Sequence, residues 1–316
     1  MNFPPTLPVR VARIDAVTPI IKCFTLVPVE EDSFPGFSAG SHIMVHMNTA
    51  ERSYRNAYSL VGAPSDLSAY RIAVRRQKRS RGGSFYLHEQ VRVGDRLRIT
   101  PPANLFYLDR LAAKHVLIAG GIGITPFMSY IHELATLPAP YELHYAYRDL
   151  QHGAFRDALA MQLGKRLHEY DAAHGHRIQP RVLLATQPLG THVYVCGPDG
   201  LIRTVVKTAS TLGWPDSHVH YERFVAQQPG RPFTVNCVQT GREIEVPADV
   251  TLLEALEAAG IDVPSMCRAG VCGQCETELL QGEAEHRDTY LSDALRSHKI
   301  MPCVSRAHCE RLVLNL

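Results

Sequence analysis

The feature that most constrains this 316-residue sequence is a group of cysteines near its C-terminal end. Cys267, Cys272 and Cys275 form a C-x4-C-x2-C pattern, and Cys303 follows after a gap of 27 residues. A chain of this length does not need disulfide staples. Clustered thiols in a reducing compartment therefore indicate metal ligands or redox groups.

The spacing is the one used by plant-type [2Fe–2S] clusters, in which the last cysteine is distant. The predicted ligands are Cys267, Cys272, Cys275 and Cys303. Gly270 and Gly273 supply loop positions without a Cβ, where amide groups can point at the sulfides. Four thiolates also suit zinc, but zinc sites usually pair two closely spaced couples. Cys309, six residues beyond Cys303, does not restore a second couple, so we interpret it as a small buried side chain.

Composition and charge exclude several other classes of protein. Lys and Arg exceed Asp and Glu by only 33 to 31, which does not indicate a nucleic-acid binder. No apolar run approaches the roughly 18–20 residues that span a bilayer. The N-terminal residues show no secretory signal pattern. We therefore expect a globular cytoplasmic protein with neither nucleic acid nor membrane as a partner.

Residues 1–108 are predicted to form an antiparallel sheet or barrel. The strand-like segments, separated by Pro, Gly, Asp and Ser, are Val9–Val17, Ile20–Val27, His42–Met47, Tyr70–Arg76 and Arg96–Thr100.

Residues 109–227 alternate between strands and helices, which indicates a parallel α/β sheet. The predicted strands are His115–Ala119, Glu142–Tyr147, His192–Cys196 and His218–Tyr221, with an ambiguous fifth over Arg166–Ala172. The predicted helices are Pro126–Leu137, Ala154–Leu163 and Asp199–Leu212.

The stretch 226–232, rich in Pro, Gly and Gln, is the predicted linker to a third domain over 228–316. That domain opens with a hairpin formed by Phe233–Val238 and Glu243–Val246. A helix follows, with Asp249 and Thr251 as candidate caps and Gly260 as its end.

Two glycine-containing turns follow strands of the second domain and precede helices, so each presents free amides to an anion. They are Gly120-Gly121-Ile122-Gly123-Ile124-Thr125-Pro126 and Cys196-Gly197-Pro198. Because the carboxyl ends of parallel strands form the ligand edge of an α/β sheet, the pair predicts a dinucleotide site. The candidate residues are Gly120, Gly121, Gly123, Thr125, Cys196, Gly197 and Pro198.

Two weaker motifs lie upstream. The run Arg55-Asn56-Ala57-Tyr58-Ser59-Leu60 offers a phosphate-binding guanidinium and an aromatic ring that can pack on a flavin. Arg81-Gly82-Gly83-Ser84 precedes a short helical pattern over Phe85–Gln90 and is a candidate phosphate-binding turn, with Ser84 as its predicted N-cap. The candidate flavin residues are Arg55, Tyr58, Ser59, Gly82, Gly83 and Ser84.

The two nucleotide turns together resemble the ferredoxin–NADP reductase superfamily. That resemblance implies that Cys196 lies near the nicotinamide and that Phe224, in Glu222-Arg223-Phe224, lies near the flavin. The superfamily's Arg-x-Tyr-Ser pattern has one extra residue here, so Arg52 competes with Arg55 for the flavin role. The last zone, over about 233–316, is similar to plant-type ferredoxins.

The order of the three domains resembles the phthalate dioxygenase reductase family over nearly the whole chain. The resemblance implies a β-barrel FMN domain, an α/β NAD domain and a β-grasp ferredoxin domain. It also implies an NADH-dependent electron-transfer enzyme with the path NADH to FMN to [2Fe–2S] to a Rieske-type oxygenase. That path needs no general acid or base. We expect the oxygenase to dock at the cluster loop, near Arg268, Ala269 and Val271.

Several alternatives stay open at this point. The flavin could be FAD in a reductase that serves a diiron hydroxylase or another monooxygenase. The chain could instead be a redox sensor or a zinc-stabilised binding protein. Arg148 favours a nucleotide 2′-phosphate and Asp149 a free ribose hydroxyl, so only the family resemblance selects NADH over NADPH.

Overall fold

The computed structural model describes residues 6–49, 53–77, 82–224 and 228–316. Contacts divide the described residues into two units, 6–224 and 228–316. The predicted boundaries 1–108, 109–227 and 228–316 stay predictions. Ala226 and Gln227 of the predicted linker lie outside the described residues.

The first part of the larger unit is a six-stranded antiparallel sheet in the order β4-β3-β6-β1-β2-β5. Its strands are β1 (Leu7–Thr18), β2 (Ile21–Pro28), β3 (His42–Asn48), β4 (Ser53–Ser59), β5 (Tyr70–Arg75) and β6 (Arg96–Ile99). Leu60, just after β4, bridges Ile72 of β5, so the two edge strands meet and the sheet closes into a barrel. A short helix, α1 (Gly83–Glu89), lies between β5 and β6.

The second part of the larger unit is a five-stranded parallel sheet in the order β11-β10-β7-β8-β9. Its strands are β7 (Lys114–Gly120), β8 (Tyr141–Tyr147), β9 (Leu167–Asp171), β10 (Thr191–Cys196) and β11 (Val219–Glu222). The helices are α2 (Thr125–Leu134), α3 (Arg156–Leu163), α4 (Pro180–Ala185) and α5 (Asp199–Thr211). The ambiguous strand is therefore real as β9, whereas α4 was not predicted.

The smaller unit contains a mixed five-stranded sheet in the order β13-β12-β18-β14-β16 and a separate pair, β15 with β17. Its elements are β12 (Phe233–Cys237), β13 (Arg242–Val246), α6 (Leu252–Ala258), β14 (Thr277–Gln281), β15 (Ala284–Glu285), β16 (Lys299–Ile300), β17 (Arg306–Ala307) and β18 (Arg311–Leu314). The parallel pairing of β12 with β18 brings the end of the chain back beside the hairpin.

Helix α6 begins at a complete capping box. The Thr251 side chain accepts from the Glu254 backbone N–H, and the Glu254 carboxylate accepts from the Thr251 N–H. Thr251 is thus the cap, and the alternative, Asp249, is not. Gly260 has a φ of +73° just after the helix, as expected for a terminating glycine. The cluster loop, which carries Cys267, Cys272 and Cys275, begins seven residues after Gly260.

No helix in the described part of the chain has the length and apolar character needed to cross a lipid bilayer.

Candidate functional site

The four predicted ligand cysteines come together in two pairs. Hydrogen bonds join the side chains of Cys267 and Cys272, and those of Cys275 and Cys303. No three cysteine sulfurs among the described residues lie within 4.8 Å of one another. A tetrahedral zinc site with Zn–S bonds of about 2.3 Å would hold all four sulfurs about 3.8 Å apart. The two-plus-two arrangement therefore fits a two-iron cluster better than a single zinc ion.

Backbone amides of the loop favour the thiolate form that iron requires. The Ala269 N–H donates to the Cys267 sulfur at 3.3 Å. The Cys272 thiol first, and then backbone N–H groups, lower the pKa of Cys267 to about 5. The hydrogen bond from Cys303 lowers the pKa of Cys275. One thiol of each pair is therefore biased toward ionisation, and the chemistry of the donor set fits [2Fe–2S].

Left-handed backbone positions wrap the loop around these sulfurs. Gly270 and Gly273 have φ values of +71° and +79°, and Arg268 has a φ of +50° without being a glycine. A Cβ on Gly270 would lie 2.6 Å from Val304 Cγ2, and one on Gly273 would lie 2.3 Å from the Tyr290 ring. Both positions therefore require glycine for conformation and for space.

Arg268 does not lie on the exposed rim of the loop, which corrects the sequence-based expectation. Its side chain is buried and forms an ion pair with Glu257 of α6. A buried guanidinium needs a partner, and Glu257 supplies it. The pair ties the cluster loop to the helix. Val271 is exposed, as expected, and Ala269 is half-buried.

The dinucleotide turns meet where the strand order of the parallel sheet reverses, between β7 and β10. This switch point is the usual ligand crevice of an open α/β sheet. A cavity of about 310 Å³ lies there, and Gly120, Gly121 and Pro198 line it. The two turns that the sequence singled out thus contribute to one cavity.

The other turn residues hold the two turns against each other. A Cβ on Gly123 would lie 2.3 Å from the Cys196 carbonyl oxygen, and one on Gly197 would lie 2.8 Å from Gly120 Cα. The Thr125 hydroxyl donates to the Ile122 carbonyl at 3.0 Å. These residues therefore allow the two turns to pack closely together, and none of them lines the cavity.

Cys196 is fully buried, and it does not line the cavity. Its register partner on β11 is Glu222. Burial raises the pKa of Glu222 to about 8, and its Oε2 atom has no hydrogen-bond partner among the described residues. Burial, followed by the Glu222 charge, raises the pKa of Cys196 as well. A neutral thiol and a protonatable carboxyl therefore lie side by side on β10 and β11, next to the Cys196-Gly197-Pro198 turn.

The candidate flavin residues lie on β4 and at the start of α1. The Ser59 hydroxyl is buried and has no hydrogen-bond partner within the described ranges, so it is available to a ligand. The Asn56 amide donates to the Tyr58 hydroxyl at 3.1 Å, and burial raises the pKa of Tyr58 to about 12. These features fit a flavin ring held by a neutral tyrosine and a free serine hydroxyl.

The phosphate-binding turn differs in one detail from the prediction. Gly82 is the N-cap of α1 and has a φ of +129°, so Ser84 lies inside the first turn and does not cap it. A Cβ on Gly82 would lie 2.3 Å from the Tyr54 hydroxyl, and one on Gly83 would lie 2.3 Å from the Asn56 amide nitrogen. The turn therefore packs directly on β4, which also carries Arg55.

Two other residues, Phe224 and Arg52, were predicted near the flavin. Phe224, just after β11, is 44% exposed, which leaves its ring free to cover a ligand. Arg52, the alternative to Arg55, lies outside the described residues, as does Arg81.

Sequence reasoning missed part of the cavity wall. Arg75, His176 and Arg177 line the cavity together with Arg148. No motif marks the first three, because they come from the barrel and from the loop after β9. The weak available signal was a short basic run, His176-Arg177, beyond a strand of the parallel sheet.

Comparisons with known proteins agree with this geometry. The family described as "2Fe-2S iron-sulfur cluster binding domain" matches residues 234–308. The family described as "Dimethylamine monooxygenase subunit DmmA-like, N-terminal domain" matches residues 96–219.

Whole-length relatives extend the match. The heme-dependent oxidative N-demethylase beta subunit of Ectopseudomonas mendocina is 51% identical, over 98% of this chain and 99% of that protein. The carnitine monooxygenase reductase subunit of Acinetobacter baumannii is 44% identical, over 98% of both chains. The structure of a phthalate dioxygenase reductase, described as modular for electron transfer from pyridine nucleotides to [2Fe–2S], superposes with a TM-score of 0.88. It is 33% identical and covers 98% of each chain.

The fold and the three candidate sites define a reductase with flavin, nicotinamide and [2Fe–2S] sites. The chain belongs to the phthalate dioxygenase reductase family. The predictions of fold class and of an NADH-dependent electron-transfer oxidoreductase with FMN and a [2Fe–2S] cluster are confirmed. Its relatives are reductase subunits of multicomponent oxygenases, so an oxygenase is its class of partner.

Proposed function

We propose that this chain passes electrons from NADH, through FMN and its [2Fe–2S] cluster, to a Rieske-type terminal oxygenase. When bound, the flavin would take both electrons of a hydride and release them singly, and the cluster would carry them one at a time to the partner. The residues of the chain bind, orient and separate these groups. The observation that carries the proposal is the two-plus-two arrangement of Cys267, Cys272, Cys275 and Cys303 in one chain with a dinucleotide cavity.

We assign the nucleotide and flavin roles to the predicted residues, except that four residues predicted to bind the dinucleotide take a packing role here. Gly120, Gly121 and Pro198 would hold the dinucleotide, while Gly123, Thr125, Cys196 and Gly197 keep its two turns in place. Ser59 and Tyr58 would contact the flavin ring, and Phe224 would cover it. Arg55, Gly82, Gly83 and Ser84 would hold the flavin phosphate. Support comes from the unpartnered Ser59 hydroxyl and from the close packing of the two turns.

The exposed face of the cluster loop is the proposed exit for electrons. Met266, Val271 and Tyr290 are 36%, 38% and 48% exposed, and the Tyr290 ring lies against the loop at Gly273. Exposed apolar side chains beside a redox centre suit a transient protein contact. Arg268, which is buried, would act there only by holding the loop in shape.

A second kind of oxygenase also has support. The 51% identical relative is named as part of a heme-dependent oxidative N-demethylase, and the family matched over residues 96–219 is named for a dimethylamine monooxygenase. Carnitine, named in the 44% identical relative, also carries a methylated nitrogen. An oxygenase that acts on methylated amines, with heme in place of a Rieske centre, is therefore the second candidate partner.

Reconstitution decides between these partners. The purified reductase is mixed with NADH, oxygen and either a Rieske-type or a heme-dependent N-demethylase component, and formation of oxygenated product is measured. The proposal expects product with the Rieske-type component and a stoichiometry of about one NADH per product. Product with the heme component alone would replace the proposed partner by the second candidate. NADH oxidation without product in either case would refute both.

The location of the protein is a separate proposal. We propose a cytoplasmic location because NADH is supplied there.

A further inference from the structure

The adenosine end of the dinucleotide cavity can be located from strand register. Gly120 of β7 pairs with Ala146 of β8, and Ala146 pairs with Tyr170 of β9. The three strand ends therefore lie in a row along one edge of the cavity. A pyrophosphate at the glycine turn places the nicotinamide toward β10 and the adenosine toward β8 and β9.

Positive charge is concentrated at that end. Arg148 directly follows β8, His176 and Arg177 follow β9, and Arg75 reaches the cavity from the barrel. Among the described residues, no carboxylate forms an ion pair with Arg75, Arg148 or Arg177. Burial first, and then the nearby charge of Arg148, lowers the pKa of Arg75. Two guanidinium groups are thus held close together without an acidic partner, which an anionic ligand would stabilise.

The carboxylates near the same strand ends, those of Asp149, Glu169 and Asp171, all have hydrogen-bond or ion-pair partners within the protein. Asp149 accepts from the His152 ring at 2.6 Å and from the Gln151 backbone N–H at 3.0 Å. Glu169 accepts from Arg156 at 2.7 Å and from the Tyr147 hydroxyl at 3.0 Å. Asp171 pairs with His174 and accepts from a backbone N–H. No Asp or Glu lines the cavity.

This arrangement bears directly on the choice of nucleotide. A free carboxylate after the second strand accepts hydrogen bonds from the ribose hydroxyls and repels a 2′-phosphate, whereas an arginine in that place binds the phosphate. The sequence offers both Arg148 and Asp149. In the structure, the arginine lines the cavity and the carboxylate caps a turn.

We propose that this reductase also uses NADPH, with Arg148 and Arg177 binding its 2′-phosphate. The inference rests on the proposed function of the same cavity as the NADH site. NADPH gives up a hydride, two electrons and one proton, to the bound flavin and leaves as NADP⁺, just as NADH leaves as NAD⁺. The specificity of the enzyme is therefore broader than that of an enzyme with a free carboxylate.

The test measures kcat/KM for NADH and for NADPH with the holoenzyme and ferricyanide as the electron acceptor. We expect kcat/KM for NADPH to lie within about a hundredfold of kcat/KM for NADH. A charge-assisted contact to the 2′-phosphate would raise kcat/KM for NADPH by about one to two orders of magnitude. A larger gap would overturn the proposal. NADH turnover in the same sample checks the proposed function separately, since its loss would refute that function first.

Two variants and a control identify the residues. In Arg148→Gln and Arg177→Gln, the ratio of kcat/KM for NADPH to that for NADH is expected to fall, by about tenfold for Arg148→Gln. Arg181→Gln removes an exposed arginine on α4 that does not line the cavity, and it should leave the ratio unchanged. An equal loss with both nucleotides in Arg148→Gln would assign that arginine to the pyrophosphate and overturn its proposed role.

A binding measurement gives an independent readout. Adenosine 2′,5′-bisphosphate should compete with NADH more strongly than ADP does, and Arg148→Gln should remove the difference. Equal inhibition by the two compounds in the wild-type enzyme would contradict the assignment.

Discussion

The ligand sites in the two units of the molecule depend on glycine for different reasons. In the cluster loop, Arg268, Gly270 and Gly273 adopt left-handed φ values, so the loop itself wraps the sulfurs. In the dinucleotide site, Gly123 has an ordinary φ and is needed because another turn passes within van der Waals distance. The glycines of the cluster loop combine a left-handed conformation with close packing, whereas Gly123 depends on tertiary contact alone. Mutations in the two regions should therefore fail in different ways.

The largest expected effect separates the two units functionally. Cys272→Ser removes one predicted iron ligand, so reduction of cytochrome c by NADH should fall by about two orders of magnitude or more. Reduction of ferricyanide, which can take electrons before the cluster, should persist. Cys309→Ser is the matched control, because this half-buried cysteine is not a predicted ligand. Equal loss of both activities in Cys272→Ser would contradict the separation.

A substitution in the cluster loop separates the cost of a left-handed φ from the cost of a steric clash. Gly270→Ala combines a left-handed φ with a Cβ 2.6 Å from Val304, so we expect a loss of about 3 kcal/mol in the stability of the loop. Gly241→Ala has a similar φ of +64° but open space, and it should cost only about 1 kcal/mol. Loss of cluster absorbance during chemical denaturation gives both values. Equal costs would show that φ alone matters.

The corresponding substitution in the dinucleotide site should act by a steric clash between its two turns. Gly123→Ala would push the Cys196 turn away, lowering stability by about 2 kcal/mol and raising KM for NADH about tenfold. Gly200→Ala places a Cβ in open space on α5 and should be neutral or slightly stabilising. Steady-state kinetics and thermal melting check both variants. An unchanged KM in Gly123→Ala would show that the turns need not touch.

The smallest expected effect concerns pH. Burial raises the pKa of Glu222 from 4.5 to about 8, so the folded state binds its proton more tightly than the unfolded chain does. The stability contribution of this group is present below about pH 4.5 and is lost as the pH rises through about 8. Glu222→Gln should therefore be more stable than wild type by roughly 1–2 kcal/mol more at pH 7.0 than at pH 5.5, which is a rise in Tm of roughly 2–6 °C.

The exposed Asp216→Asn variant is the control for this pH dependence, since it removes a charge without burial. A Glu222→Gln gain that is the same at both pH values would exclude titration of Glu222 as the cause.

The same contrast explains how much the sequence could predict. The hairpin before the cysteine cluster and the capped helix α6 follow local rules of alternation and capping, so the sequence predicts both. The spacing of the cysteines likewise predicts the cluster ligands, and those assignments stay predictions. The strands β14 to β18 were not predicted, because all are two to five residues long and most are defined by partners far away in the chain. Helix α4, six residues long, is also too short to show a period.

The dinucleotide site shows where sequence reasoning stops. Its two turns carry glycine patterns and were found, but the cationic wall depends on how the barrel strand β5 and the loop after β9 meet. Burial of Arg268 was missed for a similar reason, since its partner Glu257 lies on a different element. Spacing predicts the ligands, whereas tertiary contact decides which charged side chains face solvent.

The central claim is that electrons from NADH reach the cluster through the flavin. Anaerobic addition of NADH to the holoenzyme, followed by low-temperature EPR and visible absorbance, tests it most directly. The account predicts that flavin absorbance bleaches and that the EPR signal of a reduced [2Fe–2S] centre appears. Bleaching of the flavin with the iron left oxidised, or a protein that contains no iron, would contradict it.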